Sequence, residues 1–166
     1  MGSDLFDEHY GTLKRMARAR LRPHKTFTLL DTTGLVHESY LRVAAISGID
    51  GGDHSRFLAY VGKVMRSVIV DAAREKLAQR RGEGVPHEEF DDAMSLLADQ
   101  PAKEIIQVND ALQDLSATEP QLARVLALEY FAGMTEAEIA ECLGMSDRTV
   151  RRHSSKAHLM LRAMLA

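Results

Sequence analysis

The sequence predicts an all-α protein: two small helical domains joined by an acidic linker, the C-terminal one a helix-turn-helix. Three observations carry this expectation. Apolar residues recur at helical spacing along almost the whole chain, and strand-type alternation is nearly absent. Proline and Gly-rich stretches fall mainly between those periodic runs. Charge is sorted into basic, acidic and basic blocks along the chain. The 166 residues suffice for one ordinary domain or two small ones.

Taken in order, residues 4–22 place Leu5, Phe6, Leu13, Met16, Ala17 and Leu21 near helical spacing, and Pro23 stops the run. Thr32, Thr33 and Gly34 open a second helix over 35–46, with Leu35, Val36, Tyr40, Leu41 and Ala44 inward. Residues 47–55 read as a Gly-rich loop. A long helix over 56–79 turns Phe57, Tyr60, Val61, Val64, Val68, Ile69, Ala72 and Ala73 toward a core. Gly82, Gly84, Pro86 and Pro101 mark a linker, with a short helical piece at 90–98, and a second helical unit starts at Glu104. The expected domains are therefore 4–81 and 104–166, with 82–103 between them.

The formal net charge is only −3, yet it hides strong blocks. Residues 10–30 hold Lys14, Arg15, Arg18, Arg20, Arg22 and Lys25 with no acid. Between 82 and 114, nine acids face Lys103 alone. Residues 148–166 again hold only bases. Basic blocks of this kind suit phosphate backbones.

Composition excludes other classes. A single cysteine rules out an intramolecular disulfide framework and a Cys-rich zinc module. The seven histidines show no metal-ligand spacing, so no metal and no cofactor is expected. There is no P-loop, nucleophile elbow or dinucleotide fingerprint, and no enzyme is expected. No apolar run is long enough to span a membrane, and the chain is expected in the cytoplasm.

The most specific local signal lies between Pro120 and Leu165. Pro120 suits a first helical turn, Leu122, Val125, Leu126, Leu128 and Tyr130 follow, and Gly133 ends the run. Thr135 and Glu138 form a capping box that opens a helix over 136–143. Ala140 is small enough for a close helix approach, and Gly144 can take the positive φ of a sharp turn. Ser146 caps the next helix, in which Val150 and Ala157 face inward. Arg148, Thr149, Arg151, Arg152, Ser155 and Lys156 are left to face out. Arginine can pair bidentately with guanine in the major groove, whereas lysine and serine more often hold phosphates.

Three segments together resemble a family. They are Leu-Val-His-Glu-Ser-Tyr-Leu-Arg at 35–42, the stretch from Phe57 through Arg74, and the hairpin from Met134 to Arg152. In this order they resemble bacterial extracytoplasmic-function (ECF) sigma factors, two-domain initiation subunits of RNA polymerase. The resemblance implies that the first domain binds the clamp helices of the polymerase core and opens the minus-ten element of promoter DNA. The second would read the minus-thirty-five element and dock on the flap, with the acidic linker running through the polymerase. Lys63, Arg66 and Arg74 would hold backbone phosphates. Asp53 and His54 in the 48–55 loop would capture a flipped base, and Tyr60 could stack on one. Asp31, Leu35, Val36, Glu38 and Leu41 would meet the polymerase. The helix-turn-helix by itself also fits a free-standing regulator that binds DNA as a homodimer.

One departure stands out. Family members carry an acidic run just before the Leu-Val pair, and here that stretch is Asp31-Thr32-Thr33-Gly34. A phosphothreonine would restore about 1.5 to 2 negative charges at a helix N-terminus. Thr33, or otherwise Thr32, is therefore a candidate phosphorylation site, the competing role being a plain helix cap. The same segment resembles the subset of the family associated with Ser/Thr kinases, which makes such a kinase an expected partner. An anti-sigma factor is left open.

Overall fold

The computed structural model describes residues 7, 10, 11, 13–18, 32–44, 54–82 and 89–166. Within these, side chains are not described at 32, 33, 44, 54, 80–82 and 89–100. Asp31 and Asp53 lie outside the described residues, as does most of the 47–55 loop. The protein is all-helical, with no strand among the described residues. After an N-terminal helical segment at 13–18 come α1 (Thr32–Ala44), α2 (His54–Gly82), α3 (Glu89–Thr118), α4 (Pro120–Ala132), α5 (Glu136–Leu143) and α6 (Asp147–Leu165).

The inward face of α1 is set by Leu35, Val36, Ser39 and Val43, all buried. These residues recur at helical spacing and place Leu41, expected inward, on the opposite side, where it is 50% exposed. Ser39 is fully buried, and its hydroxyl has no hydrogen-bond partner among the described residues.

Helix α2 begins at His54, so His54 and Ser55 belong to its first turn and not to the preceding loop. Phe57, Val61, Met65, Ile69 and Ala73 are its most deeply buried residues. It packs on α1, on α3 and on α4. The approach to α4 is close because Gly62 has no side chain. A Cβ there would lie 3.1 Å from the Ala132 Cβ and 3.2 Å from the Leu128 Cδ2.

Helix α3 runs from Glu89 through Pro101 to Thr118, so the short helical piece expected at 90–98 and the unit expected from Glu104 are one continuous helix. Proline inside a helix costs about 3 kcal/mol. Here the residues that follow offset it: Ala102, Ile105, Val108, Leu112 and Leu115 are all buried on one side. Each large apolar side chain so buried contributes roughly 1.5–3 kcal/mol.

A single core therefore runs through the described residues, from Leu13 and Leu35 to Val150 and Leu161. The residues expected to form separate units at 4–81 and 104–166 lie against one another. Arg15 bridges to Glu138 at 2.6 Å, joining the N-terminal helical segment to α5. The Cys142 thiol donates to the Ser55 carbonyl at 3.3 Å, joining α5 to the start of α2.

Candidate nucleic-acid interface

The C-terminal hairpin is built by local chemistry. Gly133 ends α4 with φ +63°, and its N–H bonds the Leu128 carbonyl. Thr135 caps α5: its hydroxyl accepts from the Glu138 N–H at 3.2 Å and donates to the Glu138 carboxylate at 3.0 Å. The reciprocal half of the capping box thus runs to the threonine hydroxyl, and the carboxylate also takes Arg15. Gly144 makes the turn at φ +66°. Ser146 caps α6, its hydroxyl accepting from the Thr149 N–H at 3.1 Å.

Helix α6 buries Val150, Ser154, Ala157 and Leu161, a stripe at helical spacing. The rotation that buries this stripe turns Arg148, Arg151, Arg152, Ser155 and Lys156 to solvent, with Thr149 half-buried beside its cap. Arg151 pairs with Glu136 at 3.1 Å, and Lys156 approaches Glu119 at 3.7 Å. Both bases are more than half exposed, so these pairs hold them loosely. Glu129 fixes α6 on α4. It accepts from the Ser154 hydroxyl at 2.8 Å and lies 3.4 Å from His158 Nε2. This cluster left no sequence signal, because its members are 25 and 29 residues apart.

The cations of α2 are placed differently. Lys63 and Arg74 are exposed, but Arg66 is half-buried and faces α3 and α4. Its Nε donates to the Asn109 side-chain oxygen at 2.7 Å, and a terminal nitrogen donates to the Asn109 carbonyl at 3.3 Å. Its guanidinium carbon sits 5.4 Å from the centre of the Phe131 ring. Burial pushes the Arg66 guanidinium below its ordinary pKa. Asn109 and Phe131 carry no signal of this role in the sequence, since neither is charged or belongs to a motif.

Tyr60 is half-buried and Phe57 is in the core. Of the residues expected to meet a polymerase, Leu35 and Val36 are buried, whereas Glu38 and Leu41 are exposed. Thr32 and Thr33 lie in the first turn of α1, a turn that holds no acidic residue. Among the described residues no group of three His, Cys, Asp or Glu is placed to hold a metal ion, and no helix is long and apolar enough to cross a membrane.

These features define a class: an all-helical protein whose C-terminal hairpin presents a row of cations on its last helix. The family model for ECF sigma factors matches residues 2–165, and the chain belongs to that family. ECF sigma factors are transcription factors and not enzymes. The chain is also 31% identical over 104 residues to the probable RNA polymerase sigma factor RfaY of Xanthomonas campestris pv. campestris. That alignment covers 59% of this chain and 26% of the relative, so the chain spans about a quarter of the curated protein it matches. No solved structure matches it significantly.

Proposed function

We propose that this protein is an alternative sigma factor that directs RNA polymerase core to particular promoters in the cytoplasm. One observation carries the reading: the solvent-facing cations of α6, on a chain that matches the family from residue 2 to 165. Arg148, Thr149, Arg151 and Arg152 stand in the N-terminal half of α6, the part of such a helix that reaches base edges. Ser155 and Lys156 follow within reach of the backbone. In this reading residues 104–166 take the minus-thirty-five element and the flap. Residues 4–81 take the clamp and the minus-ten element, and 82–103 is the acidic connection. Lys63, Arg66 and Arg74 hold backbone phosphates at the melted element, Tyr60 stacks on a base, and Asp53 and His54 capture one. Glu38 and Leu41 touch the clamp directly. Leu35 and Val36 serve by fixing α1 from beneath.

The absence of acid from the first turn of α1 supports a further element of the reading. Phosphorylation of Thr33, or otherwise of Thr32, by a Ser/Thr kinase supplies the missing negative charge and switches on clamp binding.

Run-off transcription with core polymerase tests both parts. The expected result is weak promoter-specific transcription with the unmodified chain and at least a tenfold gain with Thr33→Glu. Full activity of the unmodified chain would remove the switch and leave the sigma reading. Tight promoter binding as a homodimer, with no gain from polymerase in any variant, would replace that reading with a free-standing regulator.

A further inference from the structure

Where α2 crosses α3 the surface opens into a cleft of about 280 Å³. Lys63, Arg66, Ser67 and Arg74 line it from α2, and Asn109 and Gln113 from α3. Its charge is unbalanced. Asp71 is the one acid in the lining, and its carboxylate already accepts from Arg42 at 3.0 Å. Among the described residues none of Lys63, Arg66 and Arg74 has a carboxylate partner. Arg66 is the telling case. It is half-buried, yet its partners are an amide oxygen, a carbonyl and an aromatic face, all neutral. A cation withdrawn from water without a counter-charge is costly, and a neighbouring anion removes that cost. The donors have the right variety for a tetrahedral oxyanion: two planar guanidinium groups and one ammonium. The Ser67 hydroxyl accepts from Arg42 at 2.7 Å, which leaves its own hydrogen to donate.

We propose that this cleft binds a small phosphate-bearing anion, and that the site exists only while α2 and α3 are packed together. Both helices contribute donors, so an anion bound here favours the packed arrangement by mass action. The volume is at the low end for small-molecule sites and suits one compact ligand. The phosphates of a nucleic-acid strand share the same chemistry, and the test separates the two sources.

Inorganic pyrophosphate serves as the probe in thermal unfolding of the full chain, against chloride at matched ionic strength. The melting temperature is expected to rise by about 3 °C or more at saturation. The doubly substituted Lys63→Gln, Arg74→Gln chain, changed only at exposed positions, is expected to lose that rise. No rise in the parent, or an equal rise in the variant (an adventitious ion only), would overturn the proposal. α4 follows α3 after the single residue Glu119, so tying α4 to α2 holds α3 in place as well, and Gly62→Cys with Ala132→Cys in a Cys142→Ala background makes that tie. The facing Cβ atoms need to part only by a few tenths of an ångström from 3.1 Å to reach disulfide spacing. The oxidised protein is expected to bind pyrophosphate at least as tightly as the reduced one, and to bind a short single-stranded DNA at least tenfold more weakly. Loss of pyrophosphate binding on oxidation would overturn the claim that packing creates the site. Equal binding of the strand by both forms, lost in the Lys63→Gln, Arg74→Gln chain, would assign the cleft to backbone phosphates instead. The same three cations serve backbone phosphates in the initiation reading, but the pyrophosphate measurements need neither DNA nor polymerase, so their failure leaves that reading standing.

Discussion

Helix α6 and helix α2 carry the same kinds of cation in opposite surroundings. On α6, Val150, Ser154, Ala157 and Leu161 form a narrow buried stripe, so the remaining surface stays in water with Arg148, Arg151 and Arg152 on it. On α2 the buried surface is broad, because α1, α3 and α4 all pack against it. Arg66 falls at the margin of that surface and is drawn in, while Lys63 and Arg74 stay out. An arginine within a basic stretch is thus not necessarily a surface arginine. The number of neighbours its helix must satisfy decides.

The largest expected effect tests whether the two regions share one core. Phe131 is fully buried in α4, beneath the Arg66 guanidinium. Phe131→Ala should cost about 3–5 kcal/mol in urea unfolding. Probes on α2 and on α6 should report one coincident transition. Two separated transitions would mean that the regions fold independently, and the contrast between them would then be one between domains.

Next in size is the exposed side of the comparison. Arg152→Ala should weaken binding to cognate promoter duplex by about 1–3 kcal/mol if the guanidinium reads a base, and should flatten the preference at one position. Lys156→Ala should instead weaken all duplexes alike and reduce the salt slope by about one. Equal losses on cognate and random DNA for both variants would reduce α6 to a phosphate-binding surface. A smaller effect belongs to the caps that aim this helix. Thr135→Ala removes the acceptor for the Glu138 N–H and should cost about 1 kcal/mol in thermal unfolding. The smallest concerns the link between the N-terminal segment and the hairpin. Arg15→Ala breaks an exposed pair with Glu138 and should cost about 0.5 kcal/mol, vanishing in high salt.

Much of the hairpin is legible in the sequence. Thr135, Gly144 and Ser146 act on partners within a few residues, so their roles follow from short-range geometry. Helical periodicity likewise located most of the buried side of α2. The continuity of α3 was not legible: a short helical piece is expected at 90–98 and a new unit from Glu104, because Pro101 between them reads as a break. The helix persists there because residues further along the chain are buried by α2 and α4. Leu41 shows a related error: its apolar character suggested burial, whereas the helix rotation set by Leu35, Val36 and Val43 turns it outward.

The chain's own order of residues determined its helical class, the caps that start and stop its last helices, and the outward row of bases on α6. Those are consequences of backbone hydrogen bonding and spacing over one or two turns. Only the tertiary structure decided that Arg66 meets Asn109 and Phe131, that Gly62 lies under Ala132, and that cations from one helix and amides from another line a common open cleft. Such meetings join residues tens of positions apart, and which surfaces bury one another depends on the shapes of whole helices, a property that no short window of sequence contains.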